Sequence, residues 1–383
     1  MSTVLADSYQ IWVGGLQVTD NNKSNISPSG KTAGKITFDG TTLEFDNVTM
    51  SSSTHCIQVR TESELTIKFY GTNTLTTTST AANVIWTTAP LTLNGNNWDN
   101  PATLNLNANN IPAGGGYTTI YANFEGTLNI WNLYLNLSCT GTSAIIGNNA
   151  LTTEIMTSCS EVNARCGAGY AAICRFKSWR MGDKGKLMGN MAWDNTDHRT
   201  EKSTGEIASD VTLMNGLYLG KGMPRVGGSS TLTYNPTGKT AGTIKYDPSG
   251  KLLLDGVTMS TGSAVAIMNV NIPNLEIETT GNCSITSSSN ALRPYVDTKL
   301  TGSGKLELNS TGSSAISTYA GANVTLEMAE LNAIGKDYAF YGEQVGTLTL
   351  NKYSSNSVYK FMGGNCNLYT GKLVTNSMDI WTP

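Results

Sequence analysis

Gly238-Lys-Thr-Ala-Gly-Thr-Ile-Lys-Tyr-Asp-Pro-Ser-Gly-Lys-Leu-Leu-Leu-Asp-Gly-Val-Thr-Met259 occurs twice in the chain. Its earlier counterpart is Gly30-Lys-Thr-Ala-Gly-Lys-Ile-Thr-Phe-Asp-Gly-Thr-Thr-Leu-Glu-Phe-Asp-Asn-Val-Thr-Met50. The offset is 208 residues at the start of the stretch and 209 at its end, with one extra residue in the Asp247-Pro-Ser-Gly250 turn. A duplication of this length marks a repeat architecture before any single element is assigned. The match extends upstream. Tyr9-Gln-Ile-Trp-Val13 alternates and then meets Gly14-Gly15, and the same offset falls on Leu217-Tyr-Leu-Gly220. These opening strands read as a cap over the end of each copy.

Behind the cap each copy settles into a shorter period. In the second copy a small residue before an apolar one recurs as Ala266-Ile267, Ala291-Leu292, Ala315-Ile316 and Ala339-Phe340, at spacings of 25, 24 and 24. Strand-like runs precede these pairs: Lys251–Leu254, Leu275–Ile277, Lys305–Leu308 and Val324–Leu326, with Thr347–Leu350 after the last. The first copy repeats the unit less regularly, through Leu43–Phe45, Leu65–Ile67, Leu91–Leu93, Leu104–Leu106 and Leu128–Ile130. One coil that carries two or three short strands cannot bury its apolar face alone, and stacking makes the core continuous. The expected fold is therefore all-β: a right-handed parallel β-helix in two tandem homologous copies, each with a capping strand segment. Ile267, Leu292, Ile316 and Phe340 should form one inward ladder. A pair of β-sandwiches also has regularly spaced strands, yet does not account for a period kept through four consecutive units.

The expected domain boundaries are 1–178 for the first copy, 179–209 for a charged connection or long excursion, and 210–383 for the second copy. Between Arg180 and Glu206 charged residues are denser than anywhere else, which reads as a solvated connection or, alternatively, a ligand loop.

Composition bounds the function. Charged residues are 14% of the 383, well below the roughly 25% of an average globular chain. Their place is taken by Thr, Ser, Asn and 40 Gly, a mixture that favours short strands and turns. A net charge of −3 without a basic run argues against a nucleic-acid partner. No apolar run approaches membrane-spanning length. The first residues, Met1 to Ser8, lack the basic and apolar regions of a signal peptide, so a signal removed upstream is expected if the protein is exported. Seven cysteines leave at least one unpaired, and with no CxxC and only His55 and His198 no metal site is indicated. Small buried thiols are the expected reading, one disulfide between neighbouring rungs the alternative.

The Tyr9–Val13 cap, Lys35–Asp39, Leu43–Met50, Thr243–Asp247 and Leu252–Met259 resemble secreted or cell-surface bacterial β-helix modules of the pectin-lyase-like superfamily. The resemblance implies an extracellular or surface protein, with a possible lipid anchor upstream, and a carbohydrate-binding or adhesin-like role. Polygalacturonase motifs are present only as Asn195-Thr-Asp197 and Arg175-Phe-Lys177, in reversed order and without Asp-Asp or Gly-His-Gly. Glycoside hydrolysis needs two carboxylates at one bond, which half a motif does not supply. Gly30-Lys-Thr32 and Gly238-Lys-Thr240 lack the earlier glycine of a P-loop, and Gly-x-Ser-x-Gly is absent.

The reading is a non-catalytic protein, with no cofactor, that binds a polysaccharide or host-surface glycan or serves as an adhesin-like scaffold. A polysaccharide lyase or hydrolase and a ligand-free spacer are the alternatives. Sugar C–H faces stack on aromatic rings. The ligand-binding candidates are Trp98, Tyr117, Tyr121, Trp131 and Tyr134, with Trp179 and Trp193 beside Arg180 and Asp194 as a second group.

Overall fold

The computed structural model describes residues 8–226, 229–343, 346–369 and 372–375. Among them the chain is all-β, without an α-helix, and its parallel coils form β-solenoid structure, about 12 turns in all. It divides into two compact units, Met1–Met214 and Asn215–Pro383.

Each coil of the first unit runs over three faces. A coil begins on the first face, for example Leu65–Tyr70, turns a corner into Thr72–Thr77 on the second, and returns through Ile85–Thr87 on the third. Successive coils pair in parallel on every face, as in Thr72–Thr77 with Ala102–Ala108 and then Leu133–Cys139. Alternation sets the inward side: along Leu133–Cys139 the leucines are buried and Tyr134, Asn136 and Ser138 lie outward. On the third face Ile57, Ile85, Ile120, Ile145 and Ile173 stack rung on rung, all fully buried. The second unit has the ladder expected from its 24-residue period. Ile267 pairs with Leu292, Leu292 with Ile316 and Ile316 with Phe340, and Phe340 continues to Leu368.

The corner between the first and second faces has its own chemistry. It is turned by a residue in the left-handed region: Asn47, Gly71, Asn132 and Cys159 in the first unit, Gly256 and Gly281 in the second. A backbone N–H just past the corner would be left unpaired, and a side chain from the next coil accepts it. Val48 N–H donates to Asn73 Oδ1 (2.9 Å), Leu133 N–H to Ser160 Oγ (3.3 Å) and Val257 N–H to Cys283 Sγ (3.4 Å). Asn73 is fully buried and its Nδ2 also donates to Tyr70 O at 3.0 Å. Asn73→Ala strands both groups and should cost about 1–3 kcal/mol, read as a lower urea midpoint at unchanged slope.

Edges are closed by antiparallel strands. Ser8–Val13 pairs antiparallel with Ile57–Val59, and Leu217–Leu219 does the same against Ile267–Asn269. Within the charged 179–209 segment, Trp179–Met181 adds a parallel strand to the first face. Arg199–Lys202 pairs antiparallel with Ile173–Cys174, and Met191–Asp194 pairs with Arg199–Lys202. Asp210–Met214 covers Glu161–Arg165 in the same way. The segment thus covers sheet edges of the first unit, and its charges suit a strand whose outer side meets water. No disulfide joins Cys56, Cys139, Cys159, Cys166, Cys174 and Cys283. Burial pushes the Cys56 and Cys166 thiols up to about 12, so both stay protonated.

Candidate functional site

The five aromatics singled out from sequence are spread over the first unit. Trp98 is half-buried in the loop between Leu91–Asn94 and Ala102–Ala108. Tyr117 precedes Ile120–Ala122 and packs on the hydrophobic core. Tyr121 lies on the third face, between Trp86 and Ile146. Trp131 ends a first-face strand, and its Nε1 is buried without a hydrogen-bond partner. Tyr134 lies on the second face between Thr103 and Glu161, where burial first and the Glu161 charge second push its phenol well above 10. Tyr121 stands on the third face, Trp131 on the first and Tyr134 on the second, so the five do not share one face. Trp179 and Trp193 do meet, edge to face at 6.1 Å, but Trp179 is buried and donates from Nε1 to Thr157 Oγ1 at 3.2 Å. Arg180 is occupied by Glu154 at 3.1 Å, and Asp194 Oδ1 accepts from Thr196 N–H at 2.7 Å.

A groove of about 680 Å3 lies on the second face of the first unit. Strand register, parallel up to Asn163 and antiparallel for the last strand, puts Thr74, Asn105, Asn136, Asn163 and Thr212 in one outward row. The row is hydrogen-bonded along its length. Asn105 Nδ2 donates to Thr74 Oγ1 (3.2 Å), Asn136 Nδ2 to Asn105 Oδ1 (2.9 Å) and Asn163 Nδ2 to Asn136 Oδ1 (3.1 Å). Thr212 Oγ1 closes it by donating to Asn163 Oδ1 at 2.9 Å. An amide nitrogen has two hydrogens and its oxygen two lone pairs. The ladder uses one of each at Asn105 and Asn136, so every such rung still offers a donor and an acceptor in fixed orientation. Rungs repeat at about 4.8 Å, the spacing of neighbouring strands. A second row, Thr76, Asn107, Ser138 and Arg165, flanks the first and ends in an ion pair between Arg165 and Asp210 at 3.1 Å. Glu161 stands at the groove's border, where its Oε1 accepts from Asn163 Nδ2 at 3.1 Å.

Sequence inspection missed this row, and the signal for it is present: Leu104-Asn-Leu-Asn107, Leu135-Asn-Leu-Ser138 and Val162-Asn-Ala-Arg165 share the same alternation. It also missed a stack on the third face. The Arg60 guanidinium sits 5.5 Å from the Trp12 ring and 5.0 Å from the Trp86 ring. His55 stacks on Trp86 at 5.8 Å. The stack occupies both tryptophans with protein groups. The second unit holds Arg293 at 5.5 Å from both Tyr295 and Tyr319.

Burial, with a smaller push from Arg60, holds the His55 pKa below 6.5, against an opposing pull from the Asn83 carbonyl. The neutral ring accepts Asn83 N–H at Nδ1, 3.0 Å away. Since the folded pKa is the lower one, the unfolded chain takes up more protons as pH falls through 6.5. Stability should therefore drop on acidification from pH 7 toward 5. His55→Gln should flatten that part of a stability–pH profile measured by urea unfolding.

Among the described residues no group of three or more His, Cys, Asp or Glu is placed to hold a metal ion. No helix there is long and apolar enough to cross a membrane. Comparison with protein-family models, curated proteins and solved structures finds no match to this chain.

Proposed function

We propose that the first unit binds an extended glycan along its second-face groove, as a non-catalytic binding scaffold in a secreted or cell-surface setting. The observation that carries this reading is the row Thr74–Asn105–Asn136–Asn163–Thr212, a donor–acceptor array locked rung to rung along the second-face groove. A polysaccharide repeats its hydroxyls with a unit length comparable to the rung spacing, so a periodic surface meets a periodic ligand without reordering. Tyr134 borders the row, one residue before Leu135 on the same strand, and supplies an aromatic neighbour for a sugar ring. Hydrolysis requires a pair of carboxylates across the bond, and the two at the groove's border are engaged by its lining, Glu161 by Asn163 Nδ2 at 3.1 Å and Asp210 by Arg165 at 3.1 Å. We further read the two units as products of one duplication. Their opening hairpins support this, since Lys31–Phe38 and Lys239–Tyr246 both shift register twice, at matching positions.

The test is a glycan array probed with the intact protein, then titration of the best ligand against Asn136→Ala, with thermal midpoints as a folding control. Loss of one rung's hydrogen bonds should weaken binding about tenfold. An array without a hit, or equal affinity for the folded variant, would overturn the reading. Release of reducing ends or unsaturated products from the bound glycan would overturn its non-catalytic part.

A further inference from the structure

A second concavity in the first unit has a different chemistry. It measures about 430 Å3, lies where the third face meets the loops leading into it, and is lined by Tyr121, Ser143, Tyr170, Arg175, Asp197 and Arg199 among others. Its lining holds two arginines and one aspartate. Arg199 pairs with Asp197 through Nη2 at 2.6 Å, while its Nε is shut off from solvent and has no hydrogen-bond partner. The edge strand brings the arginines together: Cys174 and Arg199 are antiparallel partners, and Arg175 N–H donates to His198 O at 2.7 Å. Both residues of that last contact are left-handed, Arg175 at φ 62° and His198 at φ 52°. Side chains other than glycine seldom adopt this conformation, and strain of this kind gathers at ligand sites.

We infer that this pocket binds the carboxylate of a small hydroxylated molecule. Asp197 neutralises one arginine, so an incoming anion would balance the other. The planar guanidinium fork matches a carboxylate edge with two parallel N–H···O bonds. Tyr121 and Tyr170 supply ring faces for the body of the ligand, and the Ser143 hydroxyl a polar contact. The site uses none of the residues of the asparagine row and stands independently of the glycan groove.

The experiment is calorimetric titration of the full chain with glucuronate, with glucose as the neutral ring of the same shape and inorganic sulfate as a non-planar anion. Glucuronate should bind, weaken with added salt, and lose tenfold or more in affinity in Arg175→Ala. That residue is exposed, so its removal leaves the fold intact. Arg199→Ala leaves Asp197 to neutralise Arg175 and should likewise weaken binding tenfold or more, and Asn136→Ala should leave it unchanged. Absence of glucuronate binding, equal binding of glucose, displacement of glucuronate by equimolar sulfate, or indifference to Arg175→Ala would each overturn the inference.

Discussion

Replacing Phe340 by alanine will lower the unfolding free energy by about 3–5 kcal/mol. Phe340 is fully buried and stands in the third-face ladder of the second unit, between Ile316 and Leu368. In a solenoid each inward ring touches the rungs before and behind it, so the cavity is lined by neighbours held in place by their own strand pairing. Such a site collapses poorly, which puts the cost at the upper end for its chemistry. Phe340→Leu keeps most of the volume and should cost less than about 1.5 kcal/mol. Urea unfolding monitored by circular dichroism separates the two. Equal, small losses from both substitutions would mean that the ladder does not carry the core.

Gly238→Ala should be nearly as damaging, on the order of 3 kcal/mol, through the backbone rather than the core. Gly238 has φ 93°, and a Cβ there would lie 1.9 Å from Ser260 O. The two strands cannot separate freely, because Ser260 N–H donates to Gly238 O at 2.9 Å. Gly30 has the same role in the first unit, where a Cβ would lie 2.1 Å from Ser51 O. Gly262 gives the control. Its φ is 57°, but a Cβ there meets nothing within 4 Å, so Gly262→Ala should cost only about 1 kcal/mol. Equal losses at 238 and 262 would show that conformation alone decides, and that the close strand contact is immaterial.

The core was legible because burial restricts chemistry. Ile267, Leu292, Ile316 and Phe340 must be apolar, and short connections keep their spacing near 24, so the ladder could be drawn from sequence and is present in the fold. The outward rows were not legible in the same way. Asn105, Asn136 and Asn163 are in register in space, but the loops after Ala108 and Cys139 differ in length, so their sequence spacing drifts. Polar residues of several kinds fit an outward position, and chemistry there does not announce register. The aromatic candidates show the other limit. Alternation already puts Tyr134 outward between Leu133 and Leu135, but nothing local places Trp131 and Tyr121 on separate faces. The Trp12–Arg60–Trp86 stack joins residues from three coils' worth of chain, a distance over which pattern reading carries no pairing information. The density of charge in 179–209 was plain, whereas its use as edge strands depends on partners that only the folded chain reveals.

The most direct test of the binding surface is a two-dimensional NMR titration of the nitrogen-labelled protein with the best array glycan, tracking the side-chain amides. The Asn105, Asn136 and Asn163 resonances, assigned by their loss in single alanine variants, should shift together and saturate at one affinity. Saturable shifts that leave these three amides unmoved would contradict glycan binding in this groove and send the ligand to another face.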